Sequence, residues 1–289
     1  MKPVTRFAVA AVAACYFGAG AWAQSQRPSE ALSRLADAWE IEDREARQQA
    51  DVLAALFGFP ARRVSESGTI VELYGLRNGA PLYRSTDNLN AAISTRTNQL
   101  WPTGSTGLGL QGLGIELGVW DGGRVQVQHQ ELIGRVFQKD AGTSVADHPT
   151  HVAGTMVAKG IDPQAKGMAS AATLNAYDWN DDATERARAA LEGLTISNQS
   201  YGWVLGWSYN GRGDNRWVWY GDRNVSQVED WLWGAYSDID QRIDWTAYYA
   251  PHFLSVWSAG NTRFGGPTTQ PVDHWVWDSA TNQYVISSV

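Results

Sequence analysis

Three places in the sequence set polar side chains where chemistry could be done. Asp121 directly follows the apolar run Gly118-Val119-Trp120 and precedes Gly122-Gly123. If that run is a strand, the carboxylate stands at its carboxyl end, where open α/β sheets bind their ligands. The competing reading is an ordinary Asp-Gly turn. The second place is Asp147-His148-Pro149-Thr150-His151-Val152-Ala153-Gly154-Thr155. Its two histidines, three residues apart, could be metal ligands on one helix face, but neither a His-Glu-x-x-His spacing nor a cysteine accompanies them. The third is Ser258-Ala259-Gly260-Asn261, again after an apolar run. Its asparagine could cap a turn, or aim its amide at a developing oxyanion.

These positions require a frame, and the chain offers one. Apolar strands at Ile115 to Trp120, Thr173 to Tyr177, Thr195 to Asn198 and Phe253 to Trp257 alternate with helices. The helices are expected near His148 to Ala158, at Asp182 to Leu191, and over a long stretch from about Ser226 to Tyr249. The capping-box pattern Ser226-Gln227-Val228-Glu229 would open that last helix. Such alternation predicts an α/β fold, a parallel sheet with helices on both faces. The run Gly104 to Gly114 is glycine-rich, but it lacks the Lys-Ser/Thr ending of a P-loop and precedes a strand, so it reads as a turn. Trp203 to Gly221 reads as an added excursion whose aromatics form either a local core or an aromatic wall for extended peptide or sugar. Trp231, Leu232, Ala235, Ile239 and Ile243 are expected to pack on the long helix.

Upstream, Pro28 to Phe57 has helical apolar spacing with alternating charges elsewhere, and Gly58 and Pro60 stop it. Thr69 to Tyr74 and Pro81 to Arg84 read as a hairpin around Asn78-Gly79. Lys2 and Arg6, the apolar stretch Phe7 to Ala21, and Ala21-Trp22-Ala23 together read as a signal peptide. The expected organisation is thus 1–23 signal peptide, 24–86 N-terminal extension, and 87–289 main domain. No other apolar run is long enough to span a membrane, so a secreted or periplasmic product follows. The one cysteine, Cys15, lies in the leader, where acylation as a lipoprotein is the alternative. With it removed, disulfides and a Cys nucleophile are excluded. A net charge of −7 argues against nucleic acid as a partner.

Taken together, five segments resemble the subtilisin-like serine peptidases. Val119-Trp120-Asp121-Gly122-Gly123 resembles the aspartate box, with Gly122 in place of Ser or Thr. His148 to Thr155 matches the histidine box His-Gly-Thr-His-Val-Ala-Gly-Thr except at Pro149, and it is the most specific of the five. Gly167-Met168-Ala169, Asn198-Gln199-Ser200-Tyr201-Gly202 and Ser258 to Asn261 follow in the family's order. The resemblance covers about Leu100 to Asn261. It implies that Asp121 orients His148, that His148 is general base and then general acid, and that Asn261 donates to the oxyanion. It assigns the backbone of Ser200, Tyr201 and Gly202 to the substrate cleft, and gives His151 a packing role.

The family's nucleophile, in Gly-Thr-Ser-x-Ala, has no counterpart, since the serines after Asn261 are Ser279, Ser287 and Ser288. The expectation is therefore a secreted serine endopeptidase acting on protein or peptide, represented by a fragment. The alternatives are a non-catalytic binding or adhesion protein on the same scaffold, and a metal-dependent hydrolase using His148 and His151. No cofactor is required for catalysis. Structural calcium is compatible with the family, and Glu131 resembles an acidic ligand position. A domain cut at Val289 should leave a sheet edge and apolar surface uncovered, Trp275 and Trp277 included.

Overall fold

The computed structural model describes residues 28–58, 60–64, 70–77, 80–86, 95–102, 104–162, 165–261, 265–269 and 271–288. The leader expected at 1–23, with Cys15, and the Asn78-Gly79 turn lie outside the described residues.

The centre is a five-stranded sheet of β4 (Glu116–Asp121), β5 (Val136–Gln138), β6 (Thr173–Asp178), β7 (Ile196–Gln199) and β11 (Leu254–Trp257). Its order is β11-β7-β4-β6-β5 and every pairing is parallel. Asp121 stands opposite Asp178, and Trp120 opposite Gln199, so β4, β6 and β7 end at one edge. The α/β class follows from the sequence alternation as expected.

Because side chains alternate along a strand, the sheet has two separate cores. Leu117, Val119, Leu174 and Ala176 face α2 (Asp147–Val157), meeting Val152, Ala153 and Val157. Trp120 and Trp257 lie on the other face, with Trp179, Tyr201 and Phe253 and with Ala189 of α3 (Asp182–Leu191). The last helix, α4, runs over Asp238–Tyr249, twelve residues later than the start expected at Ser226. Its capping box is Ser237 with Asp240. The Ser226 hydroxyl only closes a local turn, accepting from the N–H groups of Val228 and Glu229. Buried Asp230 then draws the chain inward by accepting from Gly206 and Leu232 N–H. Ile239 is buried as expected, but Trp231 lies outside the helix and is exposed.

The N-terminal extension folds as α1 (Pro28–Phe57), then β1 (Arg62–Val64), β2 (Ile70–Arg77) and β3 (Ala80–Thr86). Leu32, Ala36 and Trp39 recur at helical spacing and bury against Ala183 and Ala187, so α3 lies between the sheet and α1. Strand β3 continues into the main domain by pairing antiparallel with β8 (Tyr201–Trp203).

The tryptophan-rich excursion supplies two strands of a further sheet. Strands β9 (Trp207–Tyr209), β10 (Trp217–Trp219), β12 (Asp273–Asp278) and β13 (Gln283–Ser288) take the order β13-β12-β10-β9. This corrects the expectation of exposed aromatics near the end of the chain: Trp277 is buried and Trp275 is half-buried.

The segment after α2 shows how tightly the central helix is held. Gly167, Met168 and Ala169 donate their N–H groups to the carbonyls of Ala158, Thr155 and Met156. They thereby satisfy acceptors that a helix end leaves open. A Cβ on Gly167 would lie 2.7 Å from the Val157 nitrogen and closer still to that of Ala158, both backbone atoms that cannot turn aside. Gly154, inside the helix, has nothing within 4 Å of its own Cβ position. Gly167→Ala should therefore cost about 3 kcal/mol or more of stability. Gly154→Ala should be neutral or stabilising by up to about 1 kcal/mol. Urea unfolding of the two variants beside the parent checks the pair.

Candidate active site

Two of the residues singled out in the sequence meet at the carboxyl edge. Asp121, the last residue of β4, has 0% exposure. Its Oδ1 accepts from Gly122 N–H at 2.7 Å and lies 2.8 Å from His148 Nδ1, with Oδ2 at 3.1 Å. A carboxylate can only accept, so Nδ1 carries the proton and Nε2 is left with its lone pair. That is the tautomer a general base needs. Nε2 is buried and has no hydrogen-bond partner among the described residues.

The backbone on either side explains why the pair forms. After β4 the chain zips onto the segment before α2: Arg124 N–H donates to Ser144 O, and Ala146 N–H to Arg124 O, each at 3.0 Å. Gly123 permits this approach. Its φ is 125°, and a Cβ there would meet Ser144 O at 2.9 Å and the Ala146 methyl at 3.0 Å. Thr150 supplies a pin, since its hydroxyl donates to Ala146 O at 2.8 Å and accepts from Gln126 N–H at 2.9 Å. Pro149 sits in the first turn of α2, where a missing N–H costs no helical hydrogen bond. The Thr150 pin escaped sequence reading, although it lies inside the histidine segment.

Burial pushes the Asp121 carboxyl above the ordinary aspartate value, while the bonds from His148 and Gly122 act the other way. With Nδ1 held by Asp121, Nε2 is the atom left to take a proton. The arrangement can therefore accept a proton from a nucleophile and return it to a leaving group.

Of the remaining positions, Ser200 lies at the same edge. Ser200 follows β7, its hydroxyl accepting from the Asn198 amide at 2.9 Å. Tyr201 and Gly202 lie on β8, the Tyr201 ring being fully buried between Trp179 and Trp257. Ser258 N–H donates to Gln199 O, which carries the chain out of β11 at this edge. Three residues on, Asn261 is exposed to solvent. His151 is exposed on α2, one helical turn along from His148.

An unexpected neighbour comes from the N-terminal extension. Arg62 of β1 donates to Gly122 O at 3.3 Å, and its Nε lies 3.6 Å from Glu72, which also accepts from the Trp179 indole at 3.0 Å. Burial, then the Asp178 carboxylate, push Glu72 above its ordinary value. No local signal announces Arg62, which is sixty residues from its acceptor.

The donor set does not fit a cation at Glu131. Its carboxylate accepts from the N–H groups of Gly160 (2.7 Å), Ile161 (3.1 Å) and Asp162 (2.8 Å), so positive backbone dipoles already face it. Among the described residues, no group of three His, Cys, Asp or Glu side chains is placed to hold a metal.

The family model described as the Subtilase family matches residues 120–284. No curated protein sequence matches the chain. Among solved structures, it is similar to fervidolysin from Fervidobacterium pennivorans, a keratinolytic enzyme related to subtilisin, at 19% identity and a TM-score of 0.37. That match covers 74% of this chain and 32% of fervidolysin. It is also similar to the epidermin leader peptide processing serine protease from Staphylococcus aureus, at 15% identity and a TM-score of 0.36 over 65% of this chain and 47% of that one. The match thus spans about a third to a half of the length of these two.

One carboxyl beneath the site lends itself to a pH test. Glu185 on α3 accepts from the Trp120 indole at 2.9 Å, and burial, then the charge of Asp140, push it up to about 8. A carboxyl with a raised folded-state pKa contributes stability below its unfolded value of about 4.3, and that stability is lost as pH rises towards the folded value. Glu185→Gln keeps an acceptor for the indole and removes the titration. The variant should match the parent near pH 4 and become progressively more stable than it up to pH 8. Urea midpoints at pH 4, 6 and 8 give the answer.

Proposed function

The chain belongs to the subtilase family of serine peptidases, and from that premise we propose that it is the Asp-His portion of an exported endopeptidase. The observation that carries the reading is the 2.8 Å contact between buried Asp121 and Nδ1 of His148, with Nε2 left unpartnered. Asp121 holds the imidazole, His148 moves the proton, and Asn261 serves the oxyanion. The order of basic, apolar and small residues in 1–23 supports export to the periplasm or beyond. Among the described residues, no helix is long and apolar enough to cross a membrane.

In this reading the serine stands on a further helix beside α2. Support comes from the half of the α2-side face that nothing among the described residues covers. Val256 is in register with Asn198 and Asn198 with Val119, so Val256 faces the same side as the α2 core. Yet Ile196, Leu254 and Val256 are 36%, 59% and 44% exposed. With strands spaced about 4.8 Å apart, the midline of β7 and β11 lies roughly 10 Å from that of β4 and β6 under α2, the spacing of two packed helices.

Residues 24–86 act in this reading as a prosegment. Thr86, Ser85 and Arg84 of β3 stand opposite Tyr201, Gly202 and Trp203 of β8. An extended substrate adding to β8 would need the same backbone groups.

Two measurements test these points. The 289-residue chain should not hydrolyse casein, whereas a form extended through a Gly-Thr-Ser box should, with His148→Ala lowering its activity about 10²–10⁴-fold. Serine-inhibitor-sensitive hydrolysis by the 289 residues alone would refute the reading. Removing residues 24–86 from the extended form after folding should raise its rate on short peptides. An unchanged rate would show that β3 does not block the cleft.

A further inference from the structure

The hairpin that joins β9 to β10 ends in a group of side chains that proton transfer does not use. Its tip folds back so closely that a Cβ on Gly211 would lie 3.0 Å from the Tyr220 hydroxyl. Arg63 of β1 meets the same place from the N-terminal extension, donating to that hydroxyl at 3.3 Å and to Asn210 O at 3.5 Å. Arg212, next along the tip, sets its guanidinium carbon 4.4 Å from the centre of the Tyr284 ring and 5.1 Å from that of Trp275. Two cations thus converge on one cluster of phenols. Burial holds Tyr83, Tyr220 and Tyr284 above the ordinary tyrosine value, and both arginines act the other way on all three. The phenols stay neutral, and a hydroxyl that accepts from Arg63 still has its own proton to donate.

The cluster is rich in donors and short of acceptors. Arg63 Nε and Arg212 Nη1 are buried and have no hydrogen-bond partner among the described residues. Neither guanidinium forms an ion pair among those residues, and Asp214, the acid nearest in sequence to Arg212, accepts from the Trp275 indole instead. A guanidinium cannot shed its proton, so a buried one is relieved only by an acceptor or a counter-charge. We propose that Arg63 and Arg212 form a binding site for a tetrahedral oxyanion of the phosphate or sulfate class, seated between β1 and the β9–β10 hairpin. Two forked donors with two positive charges suit a dianion better than a single carboxylate. Tyr220 adds a hydroxyl, and the Tyr284 ring holds the Arg212 head by a cation–π contact. The inference stands apart from the peptidase reading, because the site shares no residue with Asp121 or His148 and binding is read without any substrate.

The test titrates the full 289-residue chain by isothermal calorimetry at constant ionic strength, with inorganic phosphate in one arm and phenyl phosphate in the other. One arm or both should show a single site with a Kd of about 1 mM or tighter. Tighter binding of inorganic phosphate would mark a free ion as the ligand, and tighter binding of phenyl phosphate a phosphomonoester. A chain of net charge −7 offers anions no general attraction, so binding reports the site. Arg63→Gln and Arg212→Gln should each weaken it about tenfold or more, the loss expected of a charge-assisted hydrogen bond. Arg216→Gln, an exposed neighbour 6.0 Å from the Trp275 ring, should bind as the parent does. Arg212→Gln, at a hairpin tip, carries the test if Arg63→Gln folds poorly. No binding of either ligand by the parent up to about 10 mM would overturn the proposal. So would unchanged binding by Arg212→Gln, or an equal loss in Arg216→Gln.

Discussion

Burying a carboxylate at the end of a strand costs several kcal/mol unless its oxygens are matched by donors at hydrogen-bond distance. Asp121 meets that condition with two groups, Gly122 N–H and His148 Nδ1–H. The first comes with the turn, but the second is carried by a helix that begins only after the chain has passed through β5 and returned. A displacement of about an ångström would break it. The close approach at Gly123, the backbone zip at Arg124, the Thr150 pin and the capping of α2 by residues 167–169 all bear on that one distance. Each is unremarkable alone, and together they fix both ends of α2 relative to β4.

This dependence explains which parts of the site were legible in the sequence. Asp121 and His148 could be read because each sits in a short segment whose meaning is local: a strand followed by glycines, and a helix start. The bounds of α1 and α3 were legible for a similar reason, with periodic apolar residues ended by Gly58 in one and by Gly193 in the other, both at positive φ. The start of α4 was not. Both Ser226-Gln227-Val228-Glu229 and Ser237-Asp238-Ile239-Asp240 satisfy the capping pattern. What chooses between them is Asp230, whose carboxylate is claimed by the backbone of Gly206. A contact across twenty-four residues overrides a local signal.

The second sheet was hidden for a stronger form of the same reason. Strands β9 and β10 have three residues each, and β10 gains its other neighbour, β12, through parallel pairing more than fifty residues away. Nothing within Trp217-Val218-Trp219 indicates that His274-Trp275-Val276 will lie beside it. Tryptophan content could be counted, and an aromatic core was one of its two readings, but the partner of that core could not be inferred. That partner proved to be an extension whose own helix and hairpin looked self-contained.

The two faces of the central sheet are closed by different means, and this asymmetry links the site to the extension. On the α3 side, large rings fill the space: Trp120 stacks on Tyr177 at 4.3 Å, and Trp179 and Trp257 bracket Tyr201. The Tyr201 hydroxyl donates to Asp182, which is itself paired with buried Arg186. Strand β8 is therefore anchored from below by side chains that would have to unpack before it could move. A strand fixed in this way offers a rigid edge, and whatever pairs with it competes on terms set by its own side chains, not by backbone hydrogen bonds that any peptide can make. Strand β3 brings Tyr83, and with it the aromatic core, whereas a peptide in free solution brings none of those contacts. Strand β3, which holds that edge here, is tied at Tyr83 to the core of Trp277 and Tyr220.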